Sequence, residues 1–274
     1  MTLIGNITNH LGNYGFKRTV AKALYVLMVK SEIVNDIAAR KRHLNDLLDR
    51  EFRATVAYGP LKGFQFSPEG WWSKPDRAAM LLGLYEQEIL TEISRNLDHR
   101  RLFIDIGAAD GYYGVGCVSQ GIFERSWCFE ISPTGQEVIR QTAILNGVSD
   151  RVTVFGKANA DILVTLPSED LQSAVVLIDI EGAEFDFLDE AVVTLLRNAV
   201  VFIELHEWVH PDGAARLSAL KARVERFFRI YSFTTGTRDL SIFPELVAMS
   251  DSDRWLICSE GRICLPQWWM LTPV

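Results

Sequence analysis

Five residues, His206-Glu-Trp-Val-His210, spell a pattern in which two histidines one helical turn apart hold zinc while the glutamate activates water. Carboxylates recur wherever a short apolar run stops. Asp105 and Asp110 bracket Ile-Gly-Ala-Ala, Glu130 follows Trp127-Cys-Phe, and Asp179, Glu181 and Glu184 lie in Asp-Ile-Glu-Gly-Ala-Glu. Glu204 stands two residues before His206. Groups of these types ligate metals, move protons, or hold a cationic or hydroxylated ligand. Which of these applies depends on the elements that carry them.

From residue 101 short apolar runs alternate with amphipathic stretches. Segments 102–106, 127–130, 152–155, 174–179 and 199–205 read as strands, and 133–146, 184–197 and 213–227 as helices. Two more β-rich pieces, 228–234 and 254–259, bring the strands to seven. This alternation predicts an α/β domain with a doubly wound, mostly parallel sheet, whose ligands bind beyond the carboxyl ends of the strands. Ahead of it, 17–50 has helix-spaced apolar residues, 58–76 is rich in glycine and proline around Trp71-Trp72, and 77–97 returns to helix. The expected division is 1–76, an N-terminal helical extension with a lid-like loop, and 77–274, the main domain.

These elements decide the zinc question. Zinc chemistry of this type needs both histidines on one helix face. Here strand-like Val200-Val-Phe-Ile-Glu-Leu205 precedes His206, and Pro211 pushes His210 away from helical torsions. A zinc hydrolase using His206, Glu207 and His210 is therefore the disfavoured reading. The bend after the first strand is more informative. Ala109 stands where a dinucleotide fingerprint has its second glycine, and Asp105 and Asp110 would repel a pyrophosphate. The same acids suit a ligand with positive charge, such as a methionyl ammonium and a sulfonium. Glu130, one βαβ step on, can accept both hydroxyls of a ribose. Nicotinamide enzymes use that device too, so an oxidoreductase stays open as the alternative. Glu184 reads equally as a helix-start acid favoured by the dipole.

Together "FIDIGAADGYYG", "CFEIS", "NGV", "IDIEGAE" and "FIEL" resemble S-adenosylmethionine-dependent methyltransferases of the FkbM-like family over residues 83–210. "GLYEQE" at 83–88 resembles the Tyr-Glu segment that often precedes the first strand there. The resemblance implies a Rossmann-like class I methyltransferase fold, S-adenosyl-L-methionine as cofactor, and O-methylation of a small molecule or saccharide. It implies that Asp105, Gly107 and Ala108 contact the methionine part, Glu130 holds the ribose, Ala158 flanks adenine, and Asp179 sits beside the transferring methyl. Asp110, Tyr113 and Ile131 join them as cofactor-binding residues. Glu86 would help order the pocket, although it reads almost as well as a helix-surface acid. Residues 1–55 and the last forty match nothing in that family.

A hydroxyl acceptor must also lose a proton, to Asp179 or to His206; a neutral histidine suits this near pH 7, a carboxylate only when desolvated. A second reading has Asp179, Glu204 and His206 hold a divalent ion such as Mg2+ that acidifies the hydroxyl. A third makes His206 structural. Trp71-Trp72 and Trp268-Trp269 are candidates to wall an acceptor pocket, with core or lid packing the plainer account.

Composition narrows the partners. The net charge of −7 disfavours phosphate backbones, and Arg40-Lys-Arg-His43 reads as the solvated face of a helix. No apolar run reaches the roughly 18 residues of a membrane span, and the start lacks a cleavable-leader pattern, so a cytoplasmic protein is expected. Four cysteines without a CxxC pair suggest reduced, buried thiols. The N-terminal helices either cover the cofactor or form a homodimer contact. A non-enzymatic module on the same fold is the remaining alternative.

Overall fold

Seven strands form one sheet in the order β3-β2-β1-β4-β5-β7-β6. They are β1 (Leu102–Ile106), β2 (Arg125–Phe129), β3 (Val152–Phe155), β4 (Val175–Ile178), β5 (Val200–Leu205), β6 (Phe228–Thr234) and β7 (Gln267–Pro273). The first five pair in parallel, and β7 runs antiparallel to both its neighbours. The computed structural model describes residues 32–95, 100–262 and 264–274, with further helical positions at Val20, Leu24 and Leu27. This is the expected Rossmann-like, doubly wound layout.

The central strands are apolar throughout because both faces are covered. Phe103, Val175, Leu177 and Phe202 point into one core, and Ile104, Val176, Val201 and Ile203 into the other. Register then fixes the rim. Ile106 lies opposite Phe129 and Ile178, and Ile178 opposite Ile203. The next residues, Gly107, Glu130, Asp179 and Glu204, therefore reach the carboxyl-end rim together.

Several elements differ from the sequence expectation. Residues 254–259 are not a strand; they belong to a helix, Asp251–Cys258, started by the Ser250 side chain accepting from Asp253 N at 3.2 Å. The missing strand is β7, and its Trp268 and Trp269 are buried in opposite cores, not on an acceptor pocket. Helix 184–197 is two, Glu184–Phe187 and Glu190–Leu195, because Asp189 caps Val192 N at 2.8 Å and restarts the turn. Helix 77–97 breaks into Arg77–Leu81 and Gln87–Arg95, with Gly83 (φ 66°) pressed against Tyr58 and Gly59; residues 96 and 97 lie outside the described residues. The last long helix, Gly213–Val224, stops short of 227.

Of the helical stretch expected over 17–50, helix Glu32–Glu51 is described, and residues 17–31 lie outside the described residues apart from the three positions named. Leu44 and Leu48 of that helix join Leu61, Phe64 and Phe66 in the core that also holds Leu81, Tyr112 and Ile139. Phe66 stacks on Tyr112 with ring centres 5.7 Å apart. The basic run is not simply a solvated face: Arg40 forks onto Asp253 and Lys41 reaches Asp76 at 2.6 Å, tying the helix to two other segments. Among the described residues no helix is long and apolar enough to cross a membrane.

Gly107 (φ 94°) is the tightest point of the rim, since a Cβ there would be driven into the Asp179 carbonyl oxygen. Gly107→Ala should destabilise the fold by at least about 3 kcal/mol in urea titration. Gly121 also has positive φ (70°) but nothing within 4 Å of a new Cβ. Gly121→Ala should therefore cost only about 1 kcal/mol.

Candidate functional site

The bend after β1 is built around one carboxylate. Gly107 and Ala108 donate their N–H groups to Phe129 O at 2.9 and 3.0 Å. Ala109, in the left-handed region (φ 47°), turns its N–H onto Glu130 Oε2 at 2.9 Å, while Ser132 N donates to Glu130 Oε1 at 2.7 Å. Asp105, beneath the bend, accepts from Gly114 N at 2.8 Å, at the start of helix Gly114–Ser119. Gly114 is obligatory there, because a Cβ would run into Cys128 Sγ and lie 3.0 Å from Asp105 Oδ2. Burial raises Asp105 to about 7, against the opposing pull of that N–H.

Above the bend opens a cavity of about 800 Å³. Asp105, Gly107, Ala108, Tyr113, Glu130, Ile131, Ala158, Asp179 and Glu86 all line it, so most of the sequence-predicted cofactor residues share one space. Eight lining residues are acids; the single basic one is Lys157. The rest is largely apolar and aromatic, including Trp71, Trp72, Tyr85, Tyr112 and Phe187.

Beyond β4 and β5 lies the densest charge. Asp179 Oδ1 is buried without a hydrogen bond among the described residues. His206 Nδ1 lies 2.9 Å from Glu184 Oε1, and that oxygen also accepts from Ile180 N and Gly182 N. With a proton on Nδ1, the Nε2 edge faces Asp179, Glu181 and Glu204 at 3.7 to 3.8 Å. Burial opposes charging His206, but the Glu184 hydrogen bond and the surrounding carboxylates outweigh it and raise its pKa. Burial likewise raises Asp179 to about 6, with His206 pulling the other way. Glu86 is raised to about 8 by burial, opposed by Arg262. Arg262 itself is ion-paired with Glu86, Glu204 and Glu260.

Two sequence expectations need correction. Asp110 is buried but does not line the cavity; it turns the other way and binds the loop at 71–73. His206 also stays off the cavity wall, behind Asp179. Glu86 lines the cavity, and its alternative as a helix-surface acid falls away: it occupies a tight turn with φ 44°, is buried, and accepts from the Tyr113 hydroxyl at 2.8 Å. Of the suggested metal set, Glu204 is paired with a guanidinium, while ligand atoms of Asp179 and His206 lie within 4.8 Å of one another and of Glu184. The zinc pattern is dispersed as its strand and proline require. Glu207–Val209 is a single 3-10 turn, and His210 Nε2 meets Gly182 O at 2.7 Å, away from His206. No sequence signal pointed to Arg262, one of three arginines in the unmatched last forty residues, or to Glu184 as the group that orients His206.

No family model and no curated protein matches the chain. Among solved structures it is similar to Streptococcus pneumoniae Sp1610 in complex with S-adenosyl-L-methionine, at 12% identity over 68% of this chain and 72% of that one, TM-score 0.45. It is also similar to the B. subtilis M1A22 tRNA methyltransferase TrmK, at 8% identity over 66% and 64%, TM-score 0.44. A third is the precorrin-6y C5,15-methyltransferase of Geobacter metallireducens GS-15, at 15% identity over 68% and 87%, TM-score 0.44. The fold assignment rests on this chain's own strand order.

The raised acids have a consequence for stability. Asp105, Asp179 and Glu86 keep protons in the folded state that they lose near pH 4 when unfolded. The folded state therefore binds more protons, and stability falls as pH rises from about 4 through 8. The ligand-free protein should melt at least about 3 °C lower at pH 8.5 than at pH 5.5 by calorimetry, and Asp105→Asn should flatten that slope.

Proposed function

We propose that this protein transfers a methyl group from S-adenosyl-L-methionine to a hydroxyl of a small molecule or saccharide. The observation that carries the reading is that Asp105 and Glu130, at the ends of neighbouring strands, face one cavity with an excess of acids. A sulfonium nucleoside with an α-ammonium group brings the positive charge this lining calls for, and a ribose diol that Glu130 can accept from. The tight bend lets backbone approach the ligand closely, and about 800 Å³ is ample for cofactor and acceptor together.

When bound, that cofactor supplies an activated methyl carbon, so the protein's main task is alignment. Asp105 and the Gly107–Ala109 backbone hold the amino-acid part, Glu130 the ribose, and Ile131 and Ala158 the adenine flanks. Asp179 lines the cavity, and its raised pKa makes it a fair acceptor for a hydroxyl proton. His206 acts behind it as a positioning residue: Glu184 fixes its ring, and its charge offsets that of Asp179. This reading routes no step through a divalent ion; Arg262 already serves Glu86 and Glu204, two of the acids that could ligate one. An acceptor rich in phosphate would meet the same acids as repulsion, which favours an uncharged or cationic one.

Calorimetric titration with S-adenosylhomocysteine tests the cofactor. Wild type should bind, and Glu130→Ala or Asp105→Ala should weaken binding at least about tenfold, the scale of a hydrogen bond to a charged group. Heat with NAD(H) and none with either sulfur nucleoside would select the oxidoreductase instead. Transfer of labelled methyl to a panel of hydroxylated acceptors tests the reaction. Asp179→Asn should lower kcat/KM by roughly a hundredfold or more and change cofactor affinity far less.

A further inference from the structure

The loop carrying Trp71 and Trp72 is anchored by the acid that turned away from the cavity. Asp110 Oδ1 accepts from Trp71 N and Trp72 N at 3.3 and 3.1 Å, and Oδ2 from Ser73 N and Ser73 Oγ at 3.0 and 2.6 Å. Arg77 Nη2 adds a bond to Ser73 Oγ at 2.7 Å, and its guanidinium lies 3.7 Å over the Phe66 ring. Gly70 fits because a Cβ would stand 2.7 Å from Arg77 Nη2 and 2.9 Å from Asp110 Oδ2. A buried carboxylate with four donors does not hold a loose flap. It fixes this loop to the far end of the same bend whose backbone faces the cavity.

The anchor delivers one indole to a particular place. A Cβ at Gly135, in the first turn of helix Pro133–Leu145, would lie 2.8 Å from Trp71 Nε1 and 3.1 Å from Glu130 Cδ. The indole N–H and the Glu130 carboxylate therefore share one corner of the cavity. That N–H makes no hydrogen bond among the described residues, and Trp71 is 40% exposed. Trp72 packs edge-on against it at 5.8 Å between ring centres.

We infer that Trp71 is a cofactor-binding residue: its indole N–H donates to a ribose oxygen of the nucleoside whose hydroxyls donate to Glu130. The chemistry is complementary. A carboxylate only accepts and an indole N–H only donates, whereas each ribose hydroxyl does both. Each Glu130 oxygen spends one lone pair on a backbone N–H and keeps another for a hydroxyl. Acceptor and donor in one corner thus read a diol more completely than the acid alone. This inference rests on the methyl-transfer reading for the identity of the nucleoside.

The test is titration of S-adenosylhomocysteine into wild type, Trp71→Phe and Gly135→Ala, each first checked for an unchanged far-ultraviolet spectrum. Trp71→Phe keeps an aromatic ring and loses the donor, and should bind roughly three- to tenfold more weakly, the range for one neutral hydrogen bond. Gly135→Ala should weaken binding at least as much, because its Cβ would press on both the indole and the Glu130 side chain. Against the analogue lacking both ribose hydroxyls, wild type and Trp71→Phe should bind alike. If wild type binds and Trp71→Phe binds equally tightly, this inference falls and the methyl-transfer reading stands. If wild type binds neither sulfur nucleoside, both fall.

Discussion

At the carboxyl-end rim negative charge outnumbers positive charge in a place with little water. Glu86, Asp105, Glu184 and Glu204 are all buried, and Asp179 is largely so. Arg262 spans Glu86 and Glu204, and His206 sits against Glu184. Asp105 receives only a backbone N–H, and one Asp179 oxygen receives nothing from the described residues. An uncompensated charge in such surroundings costs several kcal/mol, so the site must retain protons or acquire a cation. The upward shifts of Asp105, Asp179 and Glu86 express the first option. A sulfonium and an ammonium would supply the second. The same imbalance that weakens the ligand-free protein would favour a cationic ligand.

The sheet is what makes the crowding possible. Five parallel strands end at one level, and three of them, β2, β4 and β5, deliver a carboxylate just past their last parallel-paired apolar residue. Antiparallel strands would send alternate ends to opposite rims and disperse the acids. Backbone strain completes the arrangement. Ala109 and Glu181 adopt left-handed torsions without being glycine, each at a cost on the order of 1 kcal/mol. At Ala109 the torsion is tied to the bond from its N–H to Glu130.

Much of this was legible in sequence because the signals are local. Strands buried on both faces read as uninterrupted apolar runs, and the residue ending each run was read correctly as a rim residue. Pro211 alone was enough to take His210 out of a helix. What escaped were features set by partners distant in the chain. Arg262 meets Glu86 across 176 positions, and no pattern near either residue announces it. Residues 254–259 look like a strand by apolarity, but Ser250 and two acids in the first turn cap a helix. The breaks at Gly83 and Asp189 follow from packing and capping that a smooth apolar spacing conceals.

The D-x-G-x-x-D-G motif located the bend but not the direction of its second acid, and that direction changes what the motif does. Asp105 is drawn under the bend by the N–H of Gly114, at the start of the following helix. Asp110 lies past the left-handed Ala109, and its carboxylate leaves on the opposite side, toward the loop at 71–73. One acid supplies charge to the cavity and the other fastens a cover to it. Because the cover is fastened before any ligand arrives, little loop entropy remains to be lost on binding. The bend and the indole at its edge then behave as a single preformed surface. A disturbance at Asp110, which lies off the cavity wall, should reach the ligand through Trp71.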